Sequence, residues 1–371
     1  MLRSLKFKLF DLLTGLLLAK PAAPPVNLSD GPLVVAGFFR TASGIGRSAQ
    51  LHAAALVRDG YKPICVDLSA AFNQIDIESP HPLQQMPTTK TGTLIVHVNA
   101  PETRRALWHL GLFINRKWSV VGFWHYELAR APSSWFYEQR WLSEVWVPST
   151  FVANALEQDS SIPVRVVPHK VDYPPCQSVT LDRPQFDIPL DSYVFLTTAD
   201  GRSSLSRKNP FGAVEVFQRA FPDIDDVSLL VKTRNLERTE LEEFSRLCAQ
   251  DPRLIHINES LTPKDQFKLL SSSDVFISLH RSEGYGLVIA EALALGKPVV
   301  ATKYSGADDF KDHPQFHGVS YRLVPVAGDP VYSTAAESDE WADPDLEEAT
   351  NFLKTLYGSR PTTSNKTVSL G

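Results

Sequence analysis

Glu283 and Glu291 are separated by seven residues that include Gly284-Tyr285-Gly286-Leu287. Two carboxylates at this spacing can serve acid/base chemistry or clamp the hydroxyls of a ligand. The apolar run before them reads as a strand, and the Ala- and Leu-rich run after Gly286 reads as a helix. Glu283 then falls in the loop and Glu291 about two turns further on, inside the helix. The glycines let backbone approach a ligand closely. A helix start there offers free N–H groups and positive partial charge, which suit a phosphate. The competing reading is a solvated turn before an ordinary amphipathic helix.

Two further groups of residues carry usable chemistry. Arg202, Arg207 and Lys208 cluster in Asp200-Gly-Arg-Ser-Ser-Leu-Ser-Arg-Lys-Asn-Pro210, just before a helix start marked by Pro210. Arginine grips a diphosphate by a fork and lysine as a point charge. His125, in Gly122-Phe-Trp-His-Tyr-Glu-Leu128, ends an apolar run and could bind a hydroxyl or shuttle a proton, with Glu127 as its rival for that role. Gly44 and Gly46 form a Gly-x-Gly at a strand-to-helix turn. This is a weak phosphate-loop pattern, because Ala49 stands where a third glycine would be. His97 with Asn99, and His280, also fall at strand ends. No His, Asp or Glu group has metal-site spacing, so no metal and no cofactor is expected.

These residues need rigid elements to hold them. Apolar runs at 33–37, 63–68, 93–98, 119–124, 144–148 and 164–168 alternate with helical patterns. After a proline-rich, aperiodic stretch at 172–191, a second series follows at 193–199, 227–233, 254–257, 274–279, 298–303 and 319–325. Such alternation predicts an α/β architecture of two doubly wound, Rossmann-like domains. The expected domains are 31–180 and 181–345, with a cleft between them. Residues 1–30 form a basic N-terminal segment and linker, and 346–371 a C-terminal helix and disordered tail.

Composition bounds the rest. The 371 residues fit two domains of average size, and 43% hydrophobic with 21% charged residues is globular. A formal net charge of -5 argues against a broad nucleic-acid surface. Cys65, Cys176 and Cys248 form no CxxC pair and fit a reducing, cytoplasmic setting. Leu2, Leu5, Leu9, Leu13 and Leu16 recur near helical spacing among Arg3, Lys6, Lys8 and Lys20. Residues 1–20 therefore read as a basic amphipathic helix for an anionic membrane surface, with a helix packed on the protein body or a frayed extension as the alternatives.

The segment from Glu283 to Thr302 resembles the donor-binding element of the retaining, GT-B glycosyltransferases of family four (group 1). Ser-Arg-Lys-Asn-Pro210 is similar to the family's diphosphate-binding element. The resemblance implies that Glu283 and the amides of Gly284, Tyr285, Gly286 and Leu287 hold the donor sugar. It implies that Glu291 binds the ribose, and that Arg207 and Lys208, with Arg202, meet the diphosphate. Gly44 and Gly46 would face the donor phosphates from the first domain, and His125 would lie near the reaction centre. The implied partners are a nucleotide sugar, GDP-mannose by preference, and a glycan or lipid-linked acceptor in cell-surface polysaccharide synthesis. Another GT-B activity, inverting or epimerising, or a non-catalytic binding protein, are the alternatives.

Overall fold

The computed structural model describes residues 2–113, 116–173, 182–326, 328–332, 336 and 338–360, the side chains of 2–9 excepted. The expected tail at 361–371, Cys176 and much of the aperiodic stretch at 172–191 lie outside the described residues. The chain forms two compact units. Unit 1 holds Met1–Asp172 with Ser260–Gln266 and Glu283–Leu287, and unit 2 holds Tyr173–Glu259, Phe267–Ser282 and Val288–Gly371.

Unit 1 is built on six parallel strands: β1 (Leu33–Gly37), β2 (Ile64–Asp67), β3 (Thr91–His97), β4 (Lys117–Phe123), β5 (Glu144–Val147) and β6 (Val164–Val166), in the order β2-β1-β3-β4-β5-β6. The strands are apolar on both faces because helices cover both, the pattern of a parallel sheet. Val35, Ile95, Val121 and Phe123 pack with Ala49, Ala53 and Leu56 of helix α2 (Gly44–Arg58) in one buried cluster. Ser43 caps α2 by accepting the Gly46 amide at 3.1 Å.

Helix α1 (Leu2–Leu17) precedes this sheet. The Phe10 ring meets Trp108 edge-on, and Asp11 pairs with Arg104, which also forks Glu138 at 2.9 Å. The helix is thus packed on unit 1. Four of its leucines, Leu12, Leu13, Leu16 and Leu17, nevertheless stay exposed.

Unit 2 repeats the plan with β7 (Tyr193–Thr198), β8 (Val227–Thr233), β9 (Leu254–Asn258), β10 (Val275–Ser278), β11 (Val299–Thr302) and β12 (Phe316–Val319), ordered β12-β11-β10-β7-β8-β9 and all parallel. One cluster joins Phe195, Leu229, Val231 and Ile277 to Val216, Phe217 and Phe244, and to Ala349 and Leu353 of helix Leu346–Gly358.

The strand expected at 319–325 forms over Tyr321–Pro325, but not in the parallel sheet. The chain leaves the sheet at Ser320, whose carbonyl accepts from Asp345 and whose amide donates to Glu348 at 2.6 Å. β13 (Tyr321–Pro325) then pairs antiparallel with β14 (Glu340–Pro344), a two-stranded ribbon that sequence reading missed. The α/β class with two Rossmann-like parallel sheets, expected from the alternation of elements, is the fold observed.

Candidate functional site

In each sheet the strand order reverses direction once. That switch lies between β1 and β3 in unit 1 and between β7 and β10 in unit 2. Open α/β sheets bind ligands outside the carboxyl ends of the strands at such points. In unit 2 the two strands there lead into the two charged segments picked out by sequence. β7 runs into Asp200–Lys208, and β10 runs into His280-Arg281-Ser282.

Backbone and side-chain bonds stitch these segments together. The Arg207 guanidinium donates to the Ser282 carbonyl at 2.6 Å and twice to the Ser203 carbonyl, at 3.0 and 3.2 Å. The Arg281 amide donates to the Arg207 carbonyl at 2.7 Å. Asn209 donates to the Leu279 carbonyl at 2.9 Å, accepts the Gly212 amide, and takes a left-handed φ of 51° that turns the chain into the helix Pro210–Ala220. Arg207 is buried, Lys208 is half-buried and Arg202 is exposed. The three cations therefore differ in setting: Arg207 spends donors on carbonyls, Lys208 is half-buried and Arg202 is exposed.

Glu291 lies in helix Leu287–Ala294 and is buried at 2% exposure. It accepts the Tyr173 hydroxyl at 2.7 Å, and Tyr173 stands against the Phe267 ring at 5.0 Å. His280 is wholly buried.

Within unit 1, Glu283 is buried at 9% exposure. The Gly284 carbonyl accepts the Ser149 hydroxyl at 2.5 Å, and a Cβ on Gly284 would lie 2.9 Å from the Tyr126 carbonyl oxygen. Gly286 has φ +84°, a left-handed turn before the helix that begins at Leu287. Tyr285 donates its hydroxyl to the His169 carbonyl and meets the His169 ring edge-on.

The carboxyl end of the first sheet gathers four imidazoles around Phe123. His97 stacks on that ring at 4.5 Å and His169 at 5.4 Å, with His125 tilted against it. His97 spends both ring nitrogens, one on Ser48 at 2.9 Å and one on His52 at 3.0 Å. Its ring is therefore held from both sides within the fold. His125 contacts His169 at 3.4 Å, its amide donates to Asn99 at 2.8 Å, and its buried Nδ1 has no hydrogen-bond partner among the described residues.

Burial drives all four histidines toward the neutral form. His52 is lowered to about 4 by burial and then by Lys170. His125 is lowered to about 4 by burial. His97 and His169 also fall well below the ordinary value, through burial and then their neighbouring histidines. Glu127 is half-buried. Gly44 has open space where a Cβ would stand, whereas a Cβ on Gly46 would lie 2.4 Å from the Thr41 carbonyl oxygen. Local packing thus accounts for Gly46.

Sequence reading missed Tyr173, Ser149 and His169, whose types carry no signal until the fold places them. It also missed Lys232. There a signal existed, since a lone lysine stands one residue before the end of the otherwise uncharged strand Val227–Thr233. Among the described residues no group of three or more His, Cys, Asp or Glu could hold a metal ion. No described helix is long and apolar enough to cross a membrane.

The family model for group 1 glycosyl transferases matches residues 204–331, which include Arg207, Lys208, Glu283 and Glu291. No curated protein matches the chain. Among solved structures, the chain is similar to HepE from Anabaena, in complex with UDP and glucose, at 14% identity and TM-score 0.58 over 88% of this chain and 90% of that one. A glycosyltransferase from Rickettsia africae aligns at 15% identity and TM-score 0.59 over 88% and 89%. Sucrose-phosphate synthase from Thermosynechococcus elongatus aligns at 15% and 0.56 over 88% and 90%. The likeness extends over both units and defines the fold as that of the GT-B glycosyltransferases.

Proposed function

We propose that this chain is a retaining glycosyltransferase that moves a sugar from a nucleoside-diphosphate sugar to a hydroxyl of a glycan or lipid-linked acceptor. One observation carries the reading. The cationic segment Arg202–Lys208 and the segment leading to Glu283 follow adjacent strands, β7 and β10, at the switch point of the second sheet. Short hydrogen bonds tie the two segments together.

In this reading Glu291 holds the ribose, while Glu283 and the amides of Gly284–Leu287 hold the sugar. Lys208 and Arg202 take the diphosphate charge that grows as the glycosidic bond breaks. Arg207 fixes the turn that carries Lys208. His125 or Glu127 handles the acceptor proton. Positioning and stabilisation of the leaving group supply the catalysis, with no metal required. GDP-mannose is the donor favoured by resemblance. The UDP bound in HepE makes UDP-glucose the second donor to try.

The test is donor turnover with both nucleotide sugars in Lys208→Ala and Glu283→Ala. Each change should lower turnover by about 100-fold or more, as removal of one charge-stabilising group does. Wild-type turnover in both variants would refute the assignment, and an inverted anomer in the product would refute retention.

Residues 1–20 are proposed to rest on the inner, anionic face of a membrane as a peripheral contact. The stripe of Leu12 at 60% exposure and Leu16 at 62%, beside Leu13 and Leu17, supports this, together with Arg3, Lys6, Lys8 and Lys20 in the sequence. Flotation with anionic vesicles should be lost in a Leu12→Ser, Leu16→Ser variant, and equal flotation would remove the membrane contact.

A further inference from the structure

Unit 2 buries two lysines whose surroundings differ. Lys297, at 7% exposure, donates to the Ser271 carbonyl at 2.9 Å and the Ser273 carbonyl at 2.6 Å. Lys232, at 8% exposure, has a largely buried side chain whose ammonium makes no hydrogen bond and no ion pair among the described residues. Burying an ammonium without partners is expensive, and chains avoid it unless the group has work to do.

The position of Lys232 indicates that work. It sits in β8 in register with Thr198 of β7 and Ile257 of β9, one residue before the strand ends. That is the carboxyl edge of the sheet, beside the switch-point strand β7, where ligands of parallel sheets bind. The neighbouring Arg234 is already offset. Asp200 pairs with its guanidinium and also accepts from the Asn235 amide group at 3.0 Å and the Arg202 amide at 3.1 Å. Nothing comparable neutralises Lys232. Asp200 and Glu259 act on it only through space, and Arg234 repels it.

We propose that Lys232 is a ligand for the phosphate oxygens of a nucleoside diphosphate bound at the carboxyl end of the second sheet. This rests on the donor reading above and adds to it a residue outside the set recognised from sequence. An incoming phosphate supplies the counter-charge that the fold withholds, so the cost of burial is recovered only in the complex. Burial, then Arg234, push the free amine down to about 8. A bound phosphate raises it again. Affinity is therefore fully present below about pH 8 and declines as pH rises past that value. Arg234, Asp200 and Glu259 are the charged groups acting on Lys232.

The experiment is calorimetric binding of inorganic pyrophosphate, UDP and GDP to the full chain and to Lys232→Met, Lys232→Arg and Lys297→Met, with melting curves of each free protein. Lys232→Met should weaken binding tenfold or more, while its free form melts at the same temperature or higher, because an unpaired buried charge has gone. Lys297→Met, which strands two carbonyls, should melt lower. Lys232→Arg should retain more of the affinity than Lys232→Met. Between pH 7 and pH 9 the wild type should lose roughly tenfold in affinity and Lys232→Met almost none, the ratio of protonated amine at the two values.

Equal binding of all probes by wild type and Lys232→Met, or the same pH dependence in both, overturns the proposal. A wild type that binds pyrophosphate through Lys232 but neither nucleotide leaves the anion site standing and removes the donor reading. Nucleotide binding indifferent to Lys232 does the reverse, and no binding of any probe removes both.

Discussion

The carboxyl ends of the two sheets share a backbone plan and differ in electrostatics. In unit 1 the strand ends gather neutral, mutually stacked imidazoles, His97, His125 and His169, with His52 from α2. In unit 2 they gather Arg202, Arg207, Lys208, Lys232 and Arg234, offset in part by Asp200. Burial would raise the Asp200 carboxyl, but the Arg234 guanidinium and the hydrogen bonds from Asn235 and Arg202 hold it below its ordinary value. A parallel sheet offers the same crevice in both units, and the side chains decide what enters it. A neutral, aromatic end suits an uncharged hydroxyl compound. A cationic end suits a diphosphate.

The strongest way to break this contrast is acid. The unfolded chain protonates each histidine near 6.5, whereas folded His52 resists until about 4. Between those values the unfolded state binds the additional proton, so stability is full above pH 6.5 and is lost as pH falls toward 4. For His52 alone that shift amounts to roughly 3 kcal/mol by pH 4. His97, His125 and His169 act in the same direction. Six of the seven tryptophans, at positions 108, 118, 124, 135, 141 and 146, lie in unit 1, so their fluorescence reports its unfolding. The urea midpoint read by fluorescence should drop clearly between pH 7 and pH 5. An unchanged midpoint would mean that the four imidazoles are not held neutral.

Much of this contrast could be read from the chain, and the rest has identifiable physical reasons for staying hidden. Eleven of the twelve apolar runs correspond to strands of the two parallel sheets, because a strand covered on both faces must be apolar throughout. Strand order is not encoded in any one run, so the adjacency of β7 and β10 came only from the fold. Arg207 and Lys208 are neighbours in sequence, yet their orientations differ. That Arg207 is buried against carbonyls while Lys208 is half-buried follows from the short helix Leu205–Lys208 and the left-handed Asn209 after it. The histidine cluster joins positions 52, 97, 125 and 169, too far apart for spacing to reveal. The ribbon of β13 and β14 escaped because Tyr321, Arg322 and Leu323 are exposed, and an apolar run with no buried face resembles a continuation of the strand before it.

A smaller and more selective probe compares two buried phenylalanines. Phe123 lies among the unit 1 histidines, and Phe244 stacks on His256 at 4.6 Å and on Phe211 at 4.6 Å in unit 2. Each is 1% exposed. Truncation of either to alanine should cost about 3–5 kcal/mol in urea unfolding, since both leave a cavity of one ring. Their effects on the acid response should differ. Phe123→Ala lets water reach His97, His125 and His169, relieves the burial that keeps them neutral, and brings their folded pKa values back toward 6.5. The fluorescence midpoint of that variant, already lower at pH 7, should then move less between pH 7 and pH 5 than that of the wild type. Phe244→Ala touches none of those rings, and its fluorescence midpoint should keep the full wild-type shift. An undiminished shift in Phe123→Ala would show that the neutrality of the cluster is set elsewhere, by the Ser48–His97–His52 hydrogen bonds and not by the packed aromatic wall.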